Sequence, residues 1–299
     1  MKKYLISAVL LASLTFFSCN KDTNDIVSEK PVIENEIIQS RPEEFKNLPI
    51  EPIELVKYVE NNIKNYSDKD KEKLLNVLED TLSIHLSFMG DIINTPDVIQ
   101  ELSQFTDKDI LFSEDIEKIS DTSIKNELKK ITDSYYIISK RNGEYLPNID
   151  YSKLKDFTKD MNTALNQYYE IKIDETLNPT VVKAKINIPI KEYIERLNKT
   201  EEFIKNNPDF SRIQEMINVY KYSLFLLFTG TSLSPSVTAD GFSKNYMDYL
   251  EAEKEFNTST EKSFIKAMEM IEDNKYIIDD KMYDVLRNIA IDTAITFIN

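Results

Sequence analysis

Apolar residues recur every three or four positions along most of the chain beyond Pro52, the spacing that lines one side of an α-helix. Leu55, Val56, Val59 and Ile63 mark a first helix. Leu74, Leu75, Leu78, Leu82, Leu86 and Met89 mark a second, opened by Ser67 with Asp70 three places on and closing near Gly90. Thr95 before Pro96 predicts another start, with a proline at the first helical position, and further starts fall at Thr106, Ser113 and Asp121. The last of these runs through "IKNELKKITDSYYIISKR" to Asn142-Gly143, read as a helix stop. After Asp150, Leu154, Phe157, Met161, Ala164, Leu165 and Tyr168 form one more inward face. Pro189 opens a helix with Ile190, Tyr193, Ile194 and Leu197 inward. Thr258 with Glu261 predicts a capping box, and Asp279-Asp280 opens a final helix.

Three stretches break the pattern. In "TVVKAKINIP", Val182, Ala184, Ile186 and Ile188 alternate with Lys183, Lys185 and Asn187, a period of two that predicts an extended connector. "INVYKYSLFLLFTG" is apolar on nearly every side, as befits a helix in the middle of a bundle, and is too short in its apolar part to span a membrane. Residues 230–241, "GTSLSPSVTADG", form the longest run with no helical period. Thr231, Ser232, Ser234, Ser236, Thr238 and Asp240 there are the candidate partner-contacting residues, because long loops in compact domains often carry function.

Only 4 glycines occur in 299 residues, well below the usual share of about 7%. Sheet-rich folds spend glycine on turns and bulges, so the expectation is an all-α fold: a single irregular bundle of about eight to ten helices spanning residues 50–299.

The chain begins differently. Lys2 and Lys3 precede an apolar stretch from Leu5 to Phe17, then Ser18 and Cys19, the sole cysteine. A positive start, a short apolar run and a small residue describe an export signal over 1–18. A disulfide within the chain needs a second thiol, and a metal or catalytic thiol needs neighbours inside a folded domain. "FFSC" resembles the lipobox of bacterial lipoproteins, and Asn20, Lys21 and Asp22 look like the export signals of surface lipoproteins in Bacteroidota, with the overall bias also suiting a spirochaete. The resemblance implies that Cys19 becomes the lipidated N-terminus, held at an outer membrane, with the cell surface open as its location. Several acyl chains anchor firmly where one does not. Residues 19–49 read as a disordered tether, with a reach of about 30 Å for 30 residues.

With the leader's two lysines removed, 35 basic residues face 52 acidic ones. Such a chain repels phosphate backbones, which excludes nucleic acid as a partner class. His85, the only histidine, lies on the apolar face with Leu78, Leu82 and Met89, a core position. One histidine and one cysteine leave no donor set for zinc or a di-iron centre, and Phe88 stands where the His-x-x-Glu motif of imelysin-like helical lipoproteins would need a carboxylate. No phosphate loop or calcium loop is written in the chain, so no cofactor is expected. Carboxylate pairs such as Glu251, Glu253 and Glu255, or Glu269 with Glu272, keep a two-carboxylate hydrolase open as an alternative. A second alternative is a periplasm-facing assembly subunit. The expectation adopted is a non-catalytic, membrane-tethered module that binds a protein or glycan, using some of its 16 tyrosines as rigid contact area.

Overall fold

The computed structural model describes residues 37–297 apart from 40, 142, 162 and 254. The leader, Cys19 and most of the expected tether lie outside the described residues. Contacts divide the chain after Asn47. In the first unit, residues 37–39 make a helical turn and Glu43–Phe45 a 3-10 turn, with Lys46 Nζ 2.5 Å from Glu43.

The second unit opens with α1 (Pro52–Asn62), whose Leu55, Val56 and Val59 are buried as their spacing requires. In α2 (Asp68–Ile93) the Asp70 N–H donates to Ser67 Oγ at 3.3 Å, the expected cap. This helix passes through Gly90 and ends at Asn94, whose side-chain amide donates to the Gly90 carbonyl at 2.8 Å. His85 is a core residue, its Nδ1 2.8 Å from the Thr81 carbonyl one turn back. Pro96 opens α3 (Pro96–Leu102) as expected, but no helix starts at Thr106; that segment turns instead into β1 (Ile110–Leu111). Then come α4 (Ser113–Ile116) and α5 (Thr122–Asp133), the latter capped by Asp121 through the N–H groups of Ser123 and Ile124.

The helix expected to continue to Asn142 stops at Asp133. Tyr135 takes φ +64°, outside the helical region, and β2 (Tyr136–Arg141) and β3 (Glu144–Ile149) pair antiparallel, with β1 on the far side of β2. The physical signal is the run Tyr136-Ile137-Ile138, aromatic and β-branched, which favours a pleated surface and is buried throughout. Arg141 pairs with Glu144, and Gly143 at φ +85° supplies the positive φ that a two-residue hairpin turn needs, so Asn-Gly here marks a hairpin.

The face predicted after Asp150 is split between α6 (Tyr151–Asp156) and α7 (Thr163–Leu177). Between them Thr158 is fully buried, and Asn166 Nδ2 donates to its carbonyl at 2.7 Å, which fixes the break. The expected C-terminal helices are present, α8 (Ile190–Asn206), α9 (Ile213–Thr229), α11 (Ser259–Asp273) and α12 (Asp280–Ile295), and a further one, α10 (Lys244–Ala252), precedes the last two. The capping box of Thr258 and Glu261 opens α11, and Asp279 caps α12.

Helix α9 packs on α8, α11 and α12, burying Tyr220, Leu224, Leu227 and Phe228. Three neighbours leave one stripe uncovered, so Val219 (45% exposed) and Tyr222 (38%) face solvent and the helix is not enclosed on every side. The fold as a whole is mainly helical, with twelve α-helices from Pro52 to Ile295. It is not all-α, because four small antiparallel sheets interrupt the bundle among the described residues. No helix of the described residues is long and apolar enough to cross a membrane.

A buried charge network joins the two halves of this unit. Glu79 of α2 is 2% exposed. Its Oε1 accepts from Tyr168 at 2.6 Å and from Tyr151 at 3.2 Å, and its Oε2 lies 3.6 Å from Nε of Arg212 at the start of α9. Arg212 also donates to Asn76 Oδ1 at 2.9 Å, the Asn76 carbonyl at 3.1 Å and Asp80 at 2.7 Å. Burial depresses the guanidinium, but Glu79 and Asp80 outweigh it and the group titrates above its ordinary range. Burial and then the Glu79 charge push the Tyr151, Tyr168 and Tyr169 hydroxyls well up, so all three stay protonated, and Tyr151 and Tyr168 donate to Glu79.

Candidate functional site at the hairpin tips

The stretch that alternates with period two is extended, and it finds its partner in itself. β4 (Val181–Val182) and β5 (Lys185–Ile186) pair antiparallel, Val181 with Ile186 and Val182 with Lys185. The two residues between them, Lys183 and Ala184, stand at φ +44° and +58°. A two-residue turn matching strand twist needs positive φ at both positions, but neither residue is glycine, and each such placement costs about 1–3 kcal/mol. Surrounding contacts must therefore hold the tip.

They come from the segment predicted to be a loop. Gly230 leaves α9 at φ +70°, and a Cβ there would stand 2.3 Å from the Ser236 nitrogen and 2.4 Å from the Ser234 carbonyl oxygen, so only glycine fits. β6 (Gly230–Thr231) pairs with β7 (Ser234–Pro235), and β8 (Val237–Thr238) with β9 (Gly241–Phe242). The Ala184 carbonyl accepts from the Leu233 N–H at 3.0 Å and from Thr231 Oγ1 at 2.7 Å, while Ser234 Oγ accepts from the Ile186 N–H at 3.1 Å. On the other side Lys183 Nζ lies 3.1 Å from Glu144 at the turn of the β2–β3 hairpin. Arg141 of that hairpin donates to the carbonyls of Thr176 and Leu177, each at 3.4 Å, at the end of α7. Three hairpin tips are thus chained together at one end of α8 and α9.

The six candidate residues divide sharply. The hydroxyls of Thr231 and Ser234 are spent on the neighbouring hairpin, and Thr238 Oγ1 donates to the Gly241 carbonyl at 3.2 Å. Ser236 is fully buried, its hydroxyl without a hydrogen-bond partner. Ser232, Thr238 and Asp240 are the exposed members of the six. The residue that sequence reasoning passed over is Leu233, 67% exposed at the β6–β7 turn and the most exposed large apolar side chain described. Its register in the turn, invisible without the pairing of Gly230 with Pro235, is what turns it outward.

Other candidates are placed plainly. Glu251, Glu255, Glu269 and Glu272 stand on exposed faces, and Glu253 is paired with Lys191 at 2.9 Å, so these carboxylates do not converge. An open groove of about 540 Å³ runs along α8, lined among others by Glu195, Lys199, Glu201 and Lys205. Its cations are already held, Lys199 by Asp174 at 2.9 Å and Lys205 by Glu201. No protein-family model matches the chain, and no curated protein or solved structure matches it significantly.

Proposed function

We propose that the chain is a lipoprotein, anchored at an outer membrane through lipid on Cys19, whose helical body is a non-catalytic binding module for a protein or glycan partner. Its contact surface is the set of chained hairpin tips. The observation that carries this reading is the division of labour there: hydroxyls turn inward to fix strained backbone, and Leu233 is left outside on a rigid mount. Rigid display of a few side chains from turns on a stable scaffold is the usual economy of recognition, because little conformational freedom is lost on binding.

The test is binding of the purified full chain, in detergent, to an array of envelope proteins and glycans, beside Leu233→Asp. Saturable binding lost in the variant, with unchanged circular dichroism, is the expected result. Saturable binding indifferent to the variant moves the site elsewhere, and no saturable binding rejects the module. Mass spectrometry of the mature N-terminus checks the anchor: acyl mass on Cys19 is expected, and a free thiol refutes it.

A further inference from the structure

The charge at the hairpin tips runs against that of the whole protein. The chain carries 52 acidic residues to 37 basic ones, yet this end gathers Lys140, Arg141, Lys183 and Lys185. Of the carboxylates there, Glu144 is held by Lys183, and Glu175 at the foot of the β4–β5 hairpin accepts from the Thr180 N–H at 3.0 Å and hydroxyl at 2.7 Å. The exposed acids that remain are Asp240 in the β8–β9 turn and Asp109, whose carbonyl accepts from the Lys140 N–H at 2.7 Å. Against them stand three cations with no carboxylate within ion-pair distance among the described residues. Lys185 is exposed, Arg141 is spent only on carbonyls, and Lys140 lies 5.8 Å over the Tyr145 ring. Along α8, by contrast, Arg196, Lys199 and Lys205 sit against acids.

We infer that the hairpin-tip surface recognises an acidic peptide segment of a partner protein, with an apolar residue of that segment packed on Leu233 and its carboxylates facing Lys185 and Arg141. This rests on the binding-module reading and names its ligand chemistry. Charge complementarity selects the sign of the partner, since a net negative protein keeps unpaired cations in one place only against local self-attraction by its own acids. Leu233 selects a peptide over an anionic polysaccharide, which has no aliphatic side chain to cover an exposed leucine. It also disfavours a lipid surface: one leucine contributes about 2 kcal/mol of apolar burial, and the protein's net charge opposes an anionic bilayer. Arginine and an apolar anchor with a charged rim are the usual composition of a small protein-recognition patch.

The test presents the full chain in detergent with an array of short synthetic peptides of random sequence, graded from acidic to basic composition. Vesicles of phosphatidylglycerol and phosphatidylcholine are run alongside. Acidic peptides that contain an apolar residue should rank highest, and their affinity should fall as salt rises. Leu233→Asp should weaken them by about thirtyfold, and Lys185→Glu by about tenfold, while Lys69→Glu, at the exposed start of α2 near the opposite end of α9, leaves them unchanged. Ranking by neutral or basic composition overturns the inference while leaving the binding module standing. Binding to phosphatidylglycerol vesicles with no acidic peptide above background overturns it in favour of a lipid surface. Binding of nothing on the array or the vesicles counts against the inference and the module together.

Discussion

Two polar regions of this protein solve opposite problems. Around Glu79, charge is buried: Tyr168 and Tyr151 donate to one carboxylate oxygen, and the Arg212 guanidinium, hydrogen-bonded to Asn76 and Asp80, stands 3.6 Å from the other. At the hairpin tips, neutral hydroxyls are turned inward onto backbone, and charge is what remains outside. Polar residues are dense in both places, so density does not identify a recognition surface. The question that separates them is which groups have already found a partner. In the Glu79 network the guanidinium donates to Asn76 Oδ1, the Asn76 carbonyl, Asp80 and Glu215 with Glu79 3.6 Å away, so nothing is left to offer a ligand. At the tips Lys185 has none that is anionic.

The largest effect that can test this contrast is removal of Arg212. Arg212→Met takes the nearer of two cations from buried Glu79 and leaves it Lys172 at 3.9 Å, and breaking such a buried pair costs about 3–5 kcal/mol. Urea unfolding should show a loss of that order, with Leu233→Asp, at an exposed turn, within about 0.5 kcal/mol of the parent. A small loss for Arg212→Met would mean that Glu79 protonates or rehydrates readily, and that the network is not the keystone its geometry indicates.

Next in size is Gly230→Ala. The new Cβ would meet backbone atoms of Ser234 and Ser236 at under 3 Å, and the φ of +70° is itself unfavourable to alanine. A loss of about 1–3 kcal/mol follows. The β6–β7 pairing should suffer most, so the change should also release Leu233 from Ala184 and weaken peptide binding more than the change in stability alone implies. Gly143→Ala is the control, since its Cβ would meet nothing within 4 Å and only the φ of +85° is strained. Equal losses in the two would show that backbone conformation, and not the close approach at Gly230, sets the cost.

Much of the helical body was legible before the structure, and the reasons are local. Ser67, Asp121, Asp279 and the Thr258–Glu261 box announce helix starts through hydrogen bonds made within three residues, and those bonds are present. Where long-range pairing decides, legibility fails. "SYYIISKR" carries enough polar spacing to pass for the end of a helix, but burial on both sides of Tyr136–Ser139 selects a central strand. Lys183 and Ala184 give no turn signal, because positive φ at these residues exists only under restraint from Leu233, Thr231 and Glu144. The run from 230 to 241, without helical period in the sequence, is extended and paired, and the hydroxyls of Thr231 and Ser234 are engaged by the β4–β5 hairpin. Their direction depends on a hairpin some fifty residues earlier in sequence, as the Ser234–Ile186 hydrogen bond illustrates.

Acid titration probes a second inward-facing carboxylate on the same terms. Glu201 of α8 sits at the start of α11, where the Ser259 and Thr260 N–H groups donate to it at 3.0 and 2.8 Å and the Thr260 hydroxyl at 2.7 Å. Burial alone would raise its titration point, but Lys205, Thr260 and the helix N–H groups overcome it and hold the carboxyl below its usual range. A depressed folded value means that its contribution is complete above the unfolded value of about 4.3 and is lost as pH falls through the lower folded one. Glu201→Gln should therefore be less stable than the parent at neutral pH, with the gap closing below about pH 4. A gap that stays constant through that range would assign the effect to packing.

The smallest expected effect, that of Tyr169→Phe set beside Tyr168→Phe, isolates the comparison most cleanly. Tyr168 and Tyr169 are adjacent, both essentially fully buried, and their rings lie 5.3 Å apart. Tyr168 donates to Glu79, whereas the Tyr169 hydroxyl has no hydrogen-bond partner in the structure. Tyr168→Phe takes a donor away from a buried carboxylate and should cost about 1.5–3 kcal/mol. Tyr169→Phe removes a hydroxyl whose desolvation is uncompensated, so its stability should stay level or rise slightly. The pair holds ring size, burial and sequence neighbourhood nearly constant and varies only whether the oxygen has found a partner. If both variants lose the same amount, burial of the hydroxyl and not its pairing governs the interior. The distinction drawn between the Glu79 network and the hairpin tips would then have to rest on exposure alone.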